Sequence, residues 1–326
     1  MPWVVGIDEA GYGPNLGPLV QAAVGLYLPD GDPAGWDTLK AVVRRSHEKD
    51  DDRLLIDDSK KVYSRGGLEA LEIGTRATLF LNDPTVGDLL RKTAIPGVAE
   101  EVAREGWYDP GEPAPVATTG QAVFDALTRL GGDRTNLGWG GARADAAIVP
   151  TPQFNRISAD AGSKGAVLAR GLVELLSAAL DWMRPESRAI VDFMKPGEPV
   201  IILCDKHGGR NFYASMIQAA FPDGWVIAEK ESAAESRYRV EQLDRPVMVT
   251  FRPRADGDSV AVALASMLCK YLREVCMMQF NRFWAKHVPG IRPTAGYPVD
   301  AKRFYAQIRP AMAMLGLIED QVWRKR

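Results

Sequence analysis

Cysteine and histidine are scarce in this chain, with three of each among 326 residues. Cys204, Cys269 and Cys276 form no Cys-x-x-Cys pair, and an odd, widely spaced set argues against a secreted disulfide scaffold. His47, His207 and His287 lie far apart, which argues against a histidine-based zinc site. No run approaches the ~20 apolar residues of a membrane span, and no basic segment leads into an apolar stretch at the start. The expectation is a reduced, cytoplasmic protein with no membrane partner. An excess of one charge is missing too. Forty Lys and Arg against 42 Asp and Glu leave a formal net charge of −2, which excludes a general basic coat for nucleic acid. A local basic groove around an acidic centre stays compatible, because steering follows the local field and not the sum.

Apolar residues are plentiful, at 46% of the chain, enough for one large core or two modest ones. Residues 3–7 read as a buried strand, and 19–28, with Gln21 as its one polar residue, as a second. Residues 36–45 have helical spacing, 47–53 are a charged run, and 67–73 suggest a short helix. Strand-like alternation at 77–81 is followed by Pro84, Pro96, Pro110, Pro113 and Pro115, a helix at 121–130, and the glycines at 131–132 and 138–141. The stretch from about 70 to 150 therefore reads as an insertion or small subdomain. Helical patterns at 163–183, 211–221 and 259–287 then alternate with strand-like runs at 189–193, 200–205, 225–228 and 246–251. A terminal helix at 300–308 and a basic end, Trp323-Arg324-Lys325-Arg326, follow. The order predicts an α/β layer fold with a mixed sheet.

Acidic residues stand where apolar runs end. Asp8 and Glu9 close the first strand, Asp205 closes the run 200–205, and Asp256 and Asp258 precede the longest helix. Adjacent acids at the mouth of a buried strand are costly unless their charge is compensated, and a divalent cation, which prefers carboxylate oxygen, compensates it most simply. Carboxylates spread over several element ends suit two cations flanking a phosphoryl displacement. Plainer readings stand beside this one. Asp256 or Asp258 serves equally as a helix N-cap. Asp205 suits a turn before His207-Gly208-Gly209, and Asp192 competes with it as an acid at a strand end.

Five segments in order then resemble one family. Gly6-Ile7-Asp8-Glu9-Ala10-Gly11-Tyr12-Gly13-Pro14 resembles the opening motif of type 2 ribonuclease H (RNase HII), usually Gly-Ile-Asp-Glu-Ala-Gly-Arg-Gly-Pro. Asp57-Asp58-Ser59-Lys60-Lys61-Val62 resembles its Asp-Ser-Lys-Lys-Leu segment, and Cys204-Asp205 its third acidic position. Arg254-Ala255-Asp256 before Ala263-Leu264-Ala265-Ser266-Met267-Leu268-Cys269-Lys270, and Gly296-Tyr297-Pro298, resemble the remaining two. The stretch from about 70 to 150 has no counterpart.

The resemblance implies an RNase H-like mixed sheet flanked by helices, with an inserted subdomain. Residues 1–290 would form the catalytic domain, and 291–326 a helical segment that contributes to substrate binding. It implies that Asp8, Glu9, Asp205 and Asp256 hold two Mg²⁺ or Mn²⁺ ions, with the spacing to Lys270 favouring Asp256 over Asp258. Gly11, Tyr12, Gly13, Ser59, Lys60, Lys61, Lys270 and Tyr297 would contact substrate. Lys270 and Arg273, on the long helix, would face the groove or merely solvent. The activity implied is hydrolysis on the 5′ side of a ribonucleotide in an RNA–DNA hybrid or in duplex DNA, giving a 3′-OH and a 5′-phosphate, by a monomer. Tyr12 departs from the family's arginine and loses a cationic fork. A non-catalytic nucleic-acid-binding protein and a structure-specific nuclease on the same fold are the alternatives.

Overall fold

A computed structural model describes residues 3–28, 32–45, 51–130, 142–182 and 198–325. In chain order the elements are β1 (Trp3–Ala10), β2 (Leu19–Tyr27), α1 (Trp36–Leu39), β3 (Val43–Arg44), β4 (Leu54–Leu55), α2 (Ser59–Thr78), α3 (Val86–Thr93), α4 (Val98–Val102), α5 (Gly120–Arg129) and β5 (Ala142–Val149). Then come α6 (Thr151–Asp160), α7 (Gly165–Trp182), β6 (Val200–Asp205), α8 (Ala214–Ala220), β7 (Trp225–Glu231), β8 (Ser236–Glu241), β9 (Val247–Arg252), a 3₁₀ turn (Ala255–Gly257), α9 (Val260–His287), α10 (Pro298–Met314) and α11 (Glu319–Val322). Seven strands form one mixed sheet in the order β5-β2-β1-β6-β9-β8-β7. The central trio β1, β6 and β9 is parallel, and every other pairing in the sheet is antiparallel. The mixed α/β layer architecture expected from the sequence is therefore present.

Helices cover both faces of this sheet, which is why β1 and β2 are apolar with almost no alternation. Gly6 pairs with Val24 and Val5 with Gly25, so the two glycines face opposite sides. On one side a Cβ at Gly6 would stand 2.1 Å from the Ala261 carbonyl carbon, so only glycine lets α9 lie this close. On the other, a Cβ at Gly25 would stand 2.9 Å from the Trp182 ring of α7. Gln21, the lone polar residue of β2, donates from Nε2 to Leu168 O on α7 at 3.2 Å.

The first helix after the Asp57-Asp58 cluster begins earlier than the expected 67–73. Asp58 caps it, accepting Lys60 N–H at 2.7 Å, and Gly67 with φ 63° kinks it midway. The alternation at 77–81 is not a strand, because α2 runs on to Thr78. The Thr75 and Thr78 hydroxyls donate back to Leu71 O and Gly74 O, which satisfies them inside a buried helix end. Of 36–45 only α1 is helical. The run 189–193, with Asp192, lies outside the described residues.

The stretch from 70 to 150 holds the second half of α2, α3 to α5, and β5. Leu79, Leu89, Leu90, Ile95 and Ala146 join the same hydrophobic cluster as β1 and β2. Buried Glu72 accepts the N–H groups of Val116, Ala117 and Thr118 and the hydroxyl of Tyr271, which pins this stretch to α9. A second cluster joins the far half of α9 to α10 and α11 through Phe280, Trp284, Phe304 and Val322.

Candidate active site

Parallel pairing of β1 with β6 runs to Ile7 opposite Cys204, so the next residues, Asp8 and Asp205, stand side by side where the two strands part. The chain then crosses β7 to β9 and returns in the 3₁₀ turn, which carries Asp256 to the same place. Asp8, Glu9, Asp205 and Asp256 line one cavity of about 230 Å³. The Gly11–Pro14 loop, Ser59, Lys60, Ser266, Lys270, Arg273 and Tyr297 complete its wall.

All four acids hold their protons more tightly than ordinary carboxyls. Burial raises Asp8 well above the usual range, and the charges of Glu9 and Asp205 add to it. Glu9 rises to about 7 through burial and then Asp205, with Lys60 opposing. Burial raises Asp256, reinforced by Asp58 and Asp205. Asp205 is raised by burial but pulled back by the backbone N–H of Ala255, which its Oδ1 accepts at 3.2 Å. It is thus the common electrostatic neighbour of the other three.

Hard oxygen donors with excess negative charge fit a divalent cation in kind. Among the described residues no three acidic, thiol or imidazole groups draw together tightly enough to close around a single ion. The donors are instead distributed around the cavity wall. That distribution, with burial raising every member and mutual repulsion raising Asp8, Glu9 and Asp256, suits cations shared between carboxylates better than one closed shell.

Of the remaining expected contacts the structure gathers most but not all. Asp256 lines the cavity, whereas Asp258 is exposed and stands 3.9 Å from Arg252. Ser59, the first residue of α2, is buried, and its hydroxyl is hydrogen-bonded with that of Ser266 on α9, 3.0 Å away. Lys60 reaches the cavity. Lys61 does not. One residue further around the helix, it turns to the other side and pairs with buried Asp57 at 3.1 Å. Lys270 lines the cavity, paired with Glu274 at 2.7 Å and held 4.5 Å over the Tyr63 ring. Tyr297 is half-exposed at the rim. Arg273 is 1% exposed, so it faces the cavity wall and not solvent, and it donates to Ala295 O at 2.8 Å.

Gly11 takes φ +88°, with a hypothetical Cβ 2.6 Å from Arg273 Nε, and Gly13 is exposed. Tyr12 between them is half-buried. Its ring packs on the cluster of Leu19, Phe154 and Leu168, with Lys164 Nζ 4.5 Å from the ring centre. Burial and the charge of Glu9 raise its hydroxyl above the ordinary tyrosine value.

Ser266 and Arg324 were not distinguished by the sequence. Ser266 left a faint signal, as a lone hydroxyl in the apolar run 260–269; Arg324 left none beyond a basic end.

The sequence matches no protein-family model and no curated protein sequence. Solved structures do align with nearly the whole chain. RNase HII of Archaeoglobus fulgidus, from its complex with PCNA, is 13% identical, covering 99% of this chain and 93% of its own, with TM-score 0.43. Ribonuclease H2 of Pyrococcus horikoshii OT3 is 14% identical, covering 98% and 92%, with TM-score 0.43. Bst-RNase HIII in complex with Mn²⁺ is 16% identical, covering 99% and 66%, also with TM-score 0.43. At such identities the chemistry has to be argued from the site itself.

Proposed function

We propose that this chain is a metal-dependent endoribonuclease. It hydrolyses the phosphodiester 5′ of a ribonucleotide in RNA–DNA hybrids or in duplex DNA, leaving a 3′-OH and a 5′-phosphate. The observation that carries the reading is the convergence of four carboxylates from three distant segments on one cavity, each raised by burial and most by one another. Such a cluster costs stability and has no value to a protein that only binds phosphates, which repel it.

Asp8, Glu9, Asp205 and Asp256 would hold two Mg²⁺ or Mn²⁺ ions, which when bound supply an activated water and charge for the leaving 3′ oxygen. The chain's own groups do the rest. Lys60 and Lys270 contact backbone phosphates, which fixes position without reading sequence. Tyr297 packs against the sugar at the cleavage site, and the Gly11–Gly13 loop, tight enough to approach it, senses the 2′-hydroxyl that separates RNA from DNA. In this reading residues 1–290 are the catalytic unit, with 70–150 as its added stretch, and 291–326 bring Tyr297. The protein acts as a cytoplasmic monomer, and no helix of the described residues is long and apolar enough to cross a membrane.

The test is incubation with Mg²⁺, and separately Mn²⁺, on a continuous RNA–DNA hybrid and on a DNA duplex with one ribonucleotide. Cleavage of either that Asp8→Asn abolishes supports the reading, and the pattern between them assigns the substrate. Binding without cleavage of either would turn the assignment to a nucleic-acid-binding platform.

A further inference from the structure

Two guanidinium groups lie buried at the cavity, Arg273 in its wall and Arg324 behind it. Arg273 and Arg324 are each 1% exposed. Arg324 follows α11 in the chain, yet its side chain lies beneath the Gly11–Pro14 loop, more than 300 residues away in sequence. Its Nη2 donates to Gly11 O at 2.7 Å and also to Pro14 O. Its backbone N–H donates to Asn15 O at 2.8 Å, and Asn15 Nδ2 returns a bond to Arg324 O at 3.2 Å. The guanidinium stacks 4.7 Å over the Phe154 ring, and among the described residues no carboxylate pairs with it. Among the described residues its Nε and Nη1 have no hydrogen-bond partner. Burial and the charge of Arg273 pull it down to about 9, so the fold bears a real cost to keep a cation there.

That cost coincides with a shaped loop. The carbonyls of Gly11 and Pro14, at the two ends of the loop, are drawn inward, and Gly11 takes a left-handed turn. Among the described residues nothing accepts the N–H groups of Tyr12 or Gly13, and both residues line the cavity. Free successive N–H groups in such a turn make an anion-seeking concavity. The same loop is bonded onward. Asn15 N–H and Leu16 N–H both donate to Gly296 O, at 2.8 and 3.3 Å, next to Tyr297.

We infer that Arg324 is a positioning residue: it ties the Gly11–Pro14 loop inward so that the Tyr12 and Gly13 N–H groups are presented to an oxygen of a substrate backbone phosphate. This rests on the nuclease reading for the identity of the ligand, but not for the geometry of the loop.

Two readouts separate the two claims. The full-length Arg324→Met and Arg324→Lys variants are compared with wild type by amide hydrogen exchange and by steady-state cleavage. Positioning predicts that the Asn15 and Leu16 amides exchange about tenfold faster or more in Arg324→Met. It also predicts a KM raised about tenfold with kcat within about threefold, since a ground-state contact is lost, and partial recovery of both in Arg324→Lys. Should Arg324→Met fail to fold, Asn155→Ala loosens the same segment from outside the cavity. Asn155 holds it through Asp320 O, Trp323 O and Lys325 N–H. The same changes at smaller size are then expected. Unchanged exchange at Asn15 and Leu16 in a folded variant overturns the inference, as does an unchanged KM. Absence of cleavage by wild type, with the exchange change present, strikes the nuclease reading alone.

Discussion

Asp205 Oδ1 accepts the backbone N–H of Ala255, so the third acid of the cavity holds the turn that presents the fourth, Asp256. Charge and hydrogen bond can be separated by substitution. Asp205→Asn keeps an oxygen acceptor and removes a charge that opposes Asp8, Glu9 and Asp256. It should unfold at the same temperature as wild type or higher, while cleaving at least a hundredfold more slowly. Asp205→Ala also leaves the buried Ala255 N–H unpaired and should lose about 1–3 kcal/mol of stability. Thermal unfolding and a cleavage time course on both variants check this; equal stability of the two would contradict it.

Glu9 makes the protein sensitive to pH. Its folded value of about 7 lies above the ordinary carboxyl value, so between roughly pH 4.5 and 7 the folded chain binds a proton that the unfolded chain does not. Stability from this group is therefore lost as pH rises through that window. His207, lowered to about 4 by burial and Arg210, acts in the opposite sense between about pH 4 and 6.5, so the informative quantity is a difference. Without divalent cations, Glu9→Gln should gain on wild type by on the order of 2 kcal/mol between pH 5 and pH 8. Denaturant melts at the two pH values measure it. A difference that stays constant would show that Glu9 does not carry the shifted proton.

Lys60 and Lys61 are neighbours in sequence with different fates. Lys60→Ala should raise KM for a nucleic-acid substrate by about five- to tenfold, the scale of one charge-assisted contact. Lys61→Ala should stay within about twofold, because its partner is Asp57 and it lies away from the cavity. Equal effects of the two would place the substrate path along the outer side of α2 instead.

Glu72 accepts four hydrogen bonds at 2.6 to 3.1 Å, three from Val116 to Thr118 within the 70–150 stretch and one from Tyr271 on α9. Glu72→Gln keeps the size but weakens every one, and should cost about 2–3 kcal/mol. Hydrogen exchange at Val116 to Thr118 should rise with it. A neutral substitution would mean that this stretch is held by its apolar contacts alone.

The sequence made the strand cores legible where burial is two-sided, as in β1 and β2, because helices on both faces leave no reason for alternation. The four acids were legible for a related reason: a carboxylate ending an apolar run is conspicuous. Asp256 and Asp258 could not be told apart by composition, since the choice is made by the Ala255 bond to Asp205, a long-range contact. The outward turn of Lys61 depends on buried Asp57, and the helix through Thr78 on hydroxyls that bond their own backbone. Arg324 was invisible because its partners are main-chain carbonyls, which leave no trace in residue type.

Hydrolysis of a phosphodiester at a ribonucleotide is the activity proposed for the acidic cavity. It is tested most directly by the masses of the products from a DNA duplex carrying one ribonucleotide, incubated with Mg²⁺ and wild-type protein or Asp8→Asn. One cut 5′ of the ribonucleotide is expected, with a 5′-phosphate on the ribonucleotide fragment and a 3′-OH on the other, and no product from Asp8→Asn. Products with a 2′,3′-cyclic phosphate, or equal cleavage by Asp8→Asn, would contradict it.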